Sequence, residues 1–302
     1  MSDLPDQAWL KAHPREVLRE HGLWASKYRG QNFLVSTPAM ERIVQSARLG
    51  PDEVVLEVGT GLGRLTARLA VAAAHVVSVE VDEGLYGIAQ ANLADYDNVT
   101  LLLCDFLESK HRIQPAVTET VREALRETER APKVVSNLPY GISSPAVVNL
   151  LEWEPEPKEM YLTLQREVAD RMTAEPGTGD YGPLTVFVRY WAEAEVLFNL
   201  GSADFWPAPD VTSSFIHLSR SREAGRAGDY DSFARTVREL FTFRRKTVRK
   251  ALRLAFGAEQ ARRALERSGV DGEKRVEGLT VADFQAIARA SGGPGSGSAA
   301  QK

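Results

Sequence analysis

The sequence predicts an α/β fold, in which a mostly parallel sheet carries helices on both faces and a small all-α domain follows it. Three observations lead to this prediction. From Val54 onward, short apolar runs alternate with amphipathic segments, the pattern of parallel strands joined by helices. A glycine-rich loop directly follows the first of these runs. Beyond residue 229, hydrophobic residues recur only with a helical period.

The apolar runs predict seven strands: Val54–Val58, Val76–Glu80, Val99–Cys104, Lys133–Ser136, Met160–Leu164, Glu195–Asn199 and Ser214–Leu218. The last two are expected to form a closing antiparallel pair. Helices are predicted at Arg64–Ala74, at Pro145–Trp153 and in an amphipathic segment that ends at Leu93. Residues 108–131 are charged and weakly periodic, so we expect an exposed helical insertion there.

Composition changes along the chain suggest where its domains begin and end. The stretch 221–229 contains two glycines and is typical of a linker, whereas residues 291–302 are rich in glycine and serine and are expected to be disordered. The predicted organisation is an N-terminal helical extension (1–26), a large α/β domain (27–220), a linker (221–229), a helical domain (230–290) and a tail (291–302).

The composition is that of an ordinary soluble protein, with 43% hydrophobic and 26% charged residues among 302. No apolar stretch is long enough to span a membrane, and the first residues lack the pattern of a secretory signal. The single cysteine, Cys104, excludes an internal disulfide and a cysteine-based zinc site. The five histidines show no ligand spacing, so we predict no metal site. We expect a cytoplasmic protein, and nothing in the sequence requires more than a monomer.

The net charge is −4, but the basic residues are unevenly distributed. Between Arg235 and Arg253, eight lysines and arginines stand against the single acid Glu239. Such a segment is often only a solvated helix face. Because so little negative charge accompanies it, we favour binding to RNA phosphates. The best candidates for this contact are Arg244, Arg245 and Lys246.

The loop after the first strand carries glycine at 59, 61 and 63. A dinucleotide site usually has the spacing Gly-x-Gly-x-x-Gly, which leaves room for a pyrophosphate. Here the spacing is Gly-x-Gly-x-Gly, and the preceding Glu57 would repel a phosphate. An acid at this position suits a ligand with a positive amino group. The loop therefore favours S-adenosylmethionine, with its methionine ammonium, over NAD.

Two further acids follow the next strands of the predicted sheet. Glu80 ends the second strand and can accept hydrogen bonds from both hydroxyls of a ribose, a role that NAD sites share. Asp105 follows the third strand and can accept from the amine of the cofactor's adenine. The carboxyl ends of parallel strands meet at one edge of a sheet, so these groups are expected to lie close to the glycine loop.

Residues 137–140 read Asn-Leu-Pro-Tyr directly after the fourth strand. The exocyclic amine of adenine is a poor nucleophile, because its lone pair is delocalised into the ring. An Asn137 side-chain oxygen and the backbone carbonyl of Pro139 can hold such an amine, and Tyr140 can stack on the base. The alternative is a turn in which asparagine caps, proline ends the strand and tyrosine packs.

With these motifs, the chain resembles the family of small-subunit (16S) rRNA adenine N6,N6-dimethyltransferases from about Lys27 to Ala288. Residues 30–34, Gly-Gln-Asn-Phe-Leu, match the family's entry motif, and residues 137–145 match its catalytic loop. Further matches are Phe205-x-Pro207-x-Pro209, Phe243 to Thr247, and Arg275-x-Glu277-x-Leu279. The resemblance implies that the cofactor is bound by Asn32, Leu34, Gly59, Glu80, Asp105 and Asn137.

The resemblance also implies a Rossmann-like class I S-adenosylmethionine-dependent methyltransferase domain with a seven-stranded, mostly parallel sheet. The implied reaction methylates two adjacent adenosines in the 3′-terminal hairpin loop of small-subunit rRNA, within an assembling small ribosomal subunit. Catalysis is then assigned to Asn137, Pro139 and Tyr140. Phe205 either closes the second face of the base by stacking or packs in the core. Asn32 either contacts the cofactor or caps a helix that begins near Thr37.

Three alternatives remain. A large-subunit rRNA adenine methyltransferase of the antibiotic-resistance type would share the cofactor motifs, although residues 244–247 resemble the small-subunit family better. A mainly non-catalytic factor could bind the nascent small subunit through the basic segment. A dehydrogenase is disfavoured by the glycine spacing and by the lack of a convincing proton relay.

Overall fold

The computed structural model describes residues 7–26, 30–128, 130–221 and 230–291. The chain divides into two compact units, Met1–Ala169 with Ala194–Arg220, and Asp170–Glu193 with Ser221–Lys302. The sequence had instead assigned residues 170–193 to the large domain. Most of the expected linker (222–229) and the expected tail beyond residue 291 lie outside the described residues. No helix among the residues described is both long and apolar enough to cross a membrane.

The first unit is built on a seven-stranded sheet with the order β3-β2-β1-β4-β5-β7-β6. The first five strands in the chain pair in parallel, and β7 runs antiparallel to β5. The strands are β1 (Val54–Val58), β2 (His75–Glu80), β3 (Val99–Leu103), β4 (Lys133–Asn137), β5 (Glu159–Gln165), β6 (Ala192–Leu200) and β7 (Ser213–Arg220). This sheet confirms the predicted α/β class and its strands. The predicted closing pair is adjacent in the sheet, with β7 inside and β6 at the edge.

The strand order reverses between β1 and β4, which are neighbours at the centre of the sheet. In sheets of this kind, ligands bind beyond the carboxyl ends of the strands where the order reverses. Every residue of β1 is buried, because a central parallel strand is covered by helices on both faces. The fold therefore brings the glycine loop after β1 next to the Asn-Leu-Pro-Tyr segment that follows β4.

Twelve α-helices are described. They are α1 (Pro14–Glu20), α2 (Thr37–Ala47), α3 (Arg64–Ala72), α4 (Glu83–Asn92), α5 (Pro115–Ala124), α6 (Ser143–Leu151), α7 (Arg166–Thr173), α8 (Pro183–Trp191), α9 (Tyr230–Phe241), α10 (Val248–Phe256), α11 (Ala258–Ser268) and α12 (Val281–Ser291). Two short antiparallel pairs accompany them, Phe33–Leu34 with Phe205–Trp206 and Leu107–Ser109 with Arg112–Ile113.

The N-terminal segment packs on the first unit through α1. Leu18 of this helix is buried against Leu62, Leu85 and Ile88, in the cluster between the glycine loop and α4. Proline at the first position of α1 suits a helix start, since that position needs no backbone N–H. The helix places Pro14 at the wall of the pocket described below.

Residues 108–131 are not the exposed insertion that the sequence predicted. They form a short hairpin followed by α5, which packs against the sheet. Val117 and Val121 are completely buried, since residues four apart lie on the same face of a helix. The segment is thus the crossover between β3 and β4. The many charged residues on the solvent face of this segment made its short apolar stripe difficult to recognise in the sequence.

The second unit is helical apart from the start of β6, and it has its own hydrophobic core. Phe233, Val237 and Leu240 of α9 pack there with side chains from α8, α10, α11 and α12. The hydroxyl of Tyr181 is buried in the same unit and donates to the carbonyl of Leu279 at 2.5 Å.

Candidate active site

A pocket opens in the first unit at the carboxyl ends of β1, β2 and β4. Its empty volume, open mouth included, is about 1030 Å³. Its walls are segments from five places in the chain: residues 30–34, 57–62, 79–81, 104–106 and 137–140, with several single residues between them. All six residues assigned to the cofactor line this one pocket.

The glycine loop lies close to the Asn-Leu-Pro-Tyr segment. Gly59 has φ of +92°, and a Cβ atom there would stand 3.3 Å from the ring carbons of Pro139. A side chain at this position would meet both a strained backbone and a rigid ring. Glycine is therefore required here for the two loops to pack side by side.

Glu80 connects this loop to the end of β2. One carboxylate oxygen accepts from the backbone N–H of Gly61 at 2.8 Å, and the other accepts from those of Val81 and Asp82 at 3.0 and 2.9 Å. Burial raises the pKa of Glu80, while these three N–H groups act in the opposite direction. Each carboxylate oxygen has more than one acceptor position, so Glu80 can hold the loop and still accept from a ligand.

Glu57 is buried at the base of the pocket. The hydroxyls of Thr66 and Ser78 both donate to its Oε2 atom, at 2.5 and 2.7 Å. Burial raises the pKa of Glu57 to about 8 in spite of these bonds. Burial therefore favours the protonated form of this carboxyl group, and a cation bound beside it would favour the ionised form.

Asn137 has a fixed orientation that leaves one atom unpaired. Its Nδ2 donates to the backbone carbonyl of Asn32 at 3.1 Å, and its Oδ1 is buried with no hydrogen-bond partner among the residues described. A buried acceptor without a partner costs free energy. Since Asn137 lines the pocket, its Oδ1 is an acceptor prepared for a ligand donor.

Asn32 does not cap α2. The N-cap of that helix is Ser36, whose side chain accepts from the N–H of Ala39. The Asn32 side chain instead donates to the carbonyl of Gly30 at 3.1 Å, and its own carbonyl holds Asn137. Leu34, two residues on, is buried and belongs both to the pocket wall and to the core.

The carbonyl of Pro139 is not a free acceptor. It accepts from the N–H of Ile142 and from the hydroxyl of Ser143, both at 3.1 Å, so both lone pairs are used within the turn. This contradicts its predicted role in holding an amine. The carbonyl of Leu138 accepts no hydrogen bond from the described residues, and Leu138 lines the pocket. It is a backbone acceptor next to Asn137 that no described donor occupies.

Tyr140 is half-buried at the pocket wall. Its hydroxyl is 2.5 Å from the hydroxyl of Ser213 at the start of β7. This bond holds the ring at its far end, and Tyr140 lines the pocket. Burial raises the pKa of Tyr140, so the phenol remains neutral near pH 7. Asp105 is exposed at the pocket edge, where it accepts from the N–H of Leu107.

Phe205 lies in the hydrophobic core and does not line the pocket, so of its two predicted roles the structure supports core packing and argues against stacking on a base. It is 3% exposed and packs in one cluster with Leu34, its partner across the two-stranded pair. Successive residues in a strand face opposite sides. The neighbouring pair, Phe33 and Trp206, therefore packs in a different cluster, with ring centroids 6.3 Å apart. Phe33 lines the pocket, a role that its position within the entry motif did not reveal.

The three basic candidates in the second unit do not behave alike. Arg244 forms an ion pair with Glu277 at 3.2 Å, and its Nη2 donates to the carbonyls of Thr178 and Gly179. These contacts give Arg244 a structural role, which argues against its predicted role in RNA binding. The side chains of Arg245 and Lys246 are exposed and make no hydrogen bond or ion pair with the residues described. The sequence did not predict that Glu277 pairs with Arg244, because the two residues are 33 positions apart.

The chain is similar to known proteins over most of its length. A family model described as ribosomal RNA adenine dimethylase matches residues 25–291. The ribosomal RNA small subunit methyltransferase A of Moorella thermoacetica is 38% identical over 276 residues, which cover 90% of this chain and 94% of that protein. The protein of the same name from Pelotomaculum thermopropionicum is 37% identical over 278 residues, with 91% and 94% covered.

Two solved structures have a similar fold. A dimethyladenosine transferase from Plasmodium falciparum matches with a TM-score of 0.68 and 22% identity, covering 83% of this chain and 94% of that one. The 23S rRNA methyltransferase ErmE matches with a TM-score of 0.61 and 28% identity, covering 86% and 99%. These likenesses confirm the predicted class I methyltransferase fold.

Proposed function

This chain belongs to the ribosomal RNA adenine dimethylase family, and on that premise we propose that it is an rRNA adenine N6,N6-dimethyltransferase. Its substrate would be two adjacent adenosines in the 3′-terminal hairpin loop of small-subunit rRNA, modified during ribosome biogenesis. The proposal is supported by relatives named as small-subunit rRNA methyltransferases over about nine-tenths of the chain.

The observation that carries the proposal is the unpaired Oδ1 of Asn137. An adenine amine becomes nucleophilic when hydrogen-bond acceptors hold both its N–H groups and turn its lone pair out of the ring plane. Asn137 supplies one acceptor from its side chain, and the carbonyl of Leu138 supplies the other. Tyr140 holds the plane of the base, because its ring is fixed by Ser213. Catalysis by such a site is mainly alignment, for which oriented reactants can recover about 7–11 kcal/mol.

The pocket fits S-adenosylmethionine as the cofactor. Glu80 offers acceptors for ribose hydroxyls, Asp105 offers one for an adenine amine, and Gly59 lines the same pocket. Asn32, Leu34 and Asn137 complete the wall. When bound, the cofactor supplies an electrophilic methyl group on sulfonium. The chain needs no strong base, since the methylated ammonium product releases its proton readily to water.

The target adenosine must unstack to enter the pocket, and unstacking costs little free energy in a single-stranded loop. The exposed side chains of Arg245 and Lys246 are suited to binding RNA phosphates. A protein acting on an assembling ribosomal subunit would work in the cytoplasm.

The second candidate is a large-subunit rRNA methyltransferase, because ErmE also shares the fold at 28% identity. Mass spectrometry of both ribosomal RNAs, from cells with and without this protein, tests the two candidates together. We expect N6-dimethyladenosine to disappear from the small-subunit RNA alone. Loss from the large-subunit RNA would support the second candidate, and no loss from either would contradict both.

A further inference from the structure

Arg64 is a buried arginine without a counter-ion in the part of the chain that the structure describes. It is 7% exposed, its Nε atom is buried with no hydrogen-bond partner, and its guanidinium pairs with no carboxylate among the described residues. Burying an unpaired charge is costly, and natural proteins keep such groups where a ligand or a partner compensates them. Arg64 therefore favours an anion that the described residues do not supply.

The position of Arg64 indicates where that anion would lie. Arg64 is the first residue of α3 and lines the pocket together with Gly61 and Leu65. The N-cap of α3 is Gly63, which has no side chain to accept hydrogen bonds from the amides of the first turn. The start of a helix attracts negative charge through its free N–H groups and its dipole. The arginine and the helix start thus favour an anion in the same corner of the pocket.

We infer that Arg64 binds the carboxylate of the amino-acid part of the cofactor. This inference rests on the proposed function, because it takes S-adenosylmethionine as the ligand. The methionine part of that ligand is a zwitterion, with an ammonium and a carboxylate on the same carbon. Glu57, in the same pocket wall, suits the ammonium. Arg64 suits the carboxylate, so the two buried groups together match a zwitterion.

The electrostatics of both groups agree with this assignment. Burial raises the pKa of Glu57 to about 8, whereas burial and then the nearby charge of Arg68 lower the pKa of Arg64. In the protein without a ligand, the surroundings of each side chain disfavour its charged form. A zwitterionic ligand would stabilise both charged forms at once.

Arg68 provides a matched control. It lies one turn further along α3, is also 7% exposed, and has an Nε atom without a partner among the residues described. Its Nη1 donates to the carbonyl of Arg64 at 2.7 Å. Unlike Arg64, it does not line the pocket. Replacing it alters the same helix and removes the same charge without removing the proposed contact.

The experiment is calorimetric titration of the full chain with two ligands that differ only in the carboxylate, S-adenosylhomocysteine and its decarboxylated analogue. Arg64→Met should weaken binding of the first about 10- to 100-fold, the usual range for a charge-assisted hydrogen bond, and change binding of the second less than about threefold. Arg64→Lys, which keeps the charge, should fall between the wild type and Arg64→Met. Arg68→Met should change binding of both ligands by the same factor.

A thermal unfolding scan of each variant without ligand controls for misfolding. Because Arg64→Met removes an uncompensated buried charge, its Tm should equal or exceed that of the wild type. The inference is overturned if Arg64→Met weakens the binding of both ligands equally or of neither. It is also overturned if only Arg68→Met weakens the binding of S-adenosylhomocysteine more than that of the decarboxylated analogue. A wild type that binds neither ligand would instead contradict the proposed cofactor, and the inference with it.

Discussion

Asn137 and Asn32, which are 105 residues apart in the chain, are joined by a hydrogen bond of 3.1 Å from the Nδ2 of the first to the backbone carbonyl of the second. The bond decides which end of the Asn137 amide is available, because only an N–H can face a carbonyl. It leaves Oδ1 as a buried acceptor that no described residue satisfies. The entry motif thereby orients Asn137, the residue proposed to hold the amine.

This relationship predicts that Asn137→Ala nearly abolishes methylation and leaves binding to the assembling small subunit intact. Removing one preorganised hydrogen-bonding group from an active site costs about 100- to 1,000-fold in rate. Single-turnover methylation of small-subunit particles and a particle-binding assay would measure the two effects. Asn137→Asp is a near-isosteric comparison, and a wild-type rate in Asn137→Ala would remove this residue from the mechanism.

Two substitutions at Tyr140 distinguish the contribution of its aromatic ring from that of its hydroxyl group. Tyr140→Phe keeps the aromatic face and loses only the bond to Ser213, so we expect a loss of about 0.5–1.5 kcal/mol in unfolding free energy and a small change in rate. Tyr140→Ala removes the stacking surface, which is worth about 1–3 kcal/mol per base. By the same principle, its rate should fall about 5- to 150-fold at subsaturating RNA. Similar rates for the two variants would exclude stacking as the role of this ring.

Glu57 should make the stability of the free protein depend on pH. Burial raises its pKa from the ordinary value of 4.5, which applies to the unfolded chain, to about 8 in the fold, so the native state holds the proton more tightly. The stabilisation is fully present below pH 4.5 and is lost as the pH rises to about 8. Urea titrations of the wild type and Glu57→Gln should therefore diverge over this interval, with the variant less sensitive to pH. Parallel curves would show that this carboxyl is not the titrating group.

Arg244 should contribute less to RNA binding than Arg245 and Lys246 do. Replacing Arg245 and Lys246 with glutamate should weaken binding and flatten its dependence on salt concentration, because fewer phosphate counter-ions are released. Arg244→Ala should leave the salt dependence unchanged and lower the unfolding free energy by about 1–3 kcal/mol. The stability loss is expected because Glu277 and two carbonyls would lose their partner. Filter binding at several salt concentrations would compare the two, and a reduced salt slope in Arg244→Ala would contradict the structural role assigned to it.

The sequence alone was sufficient for the parts of the molecule that depend on local pattern. The buried strand Val54–Val58, the alternation of strands with helices and the glycine spacing are all properties of neighbouring residues. The order of motifs along the chain was also enough to predict that Glu80, Asp105 and Asn137 share a pocket, because parallel strands end at the same edge. The glycine spacing and Glu57 predicted the class of cofactor.

Tertiary structure decided which atoms in those motifs are available. The carbonyl of Pro139 is occupied by two donors of its own turn, Phe205 is placed in the core by its pairing with Leu34, and Arg244 is neutralised by a glutamate far along the chain. The apolar stripe of α5 was recognisable only once Val117 and Val121 were seen packed against the sheet. Motif and periodicity report what a residue type can do. The partners of a particular residue depend on contacts between distant parts of the chain, and only the fold determines those contacts.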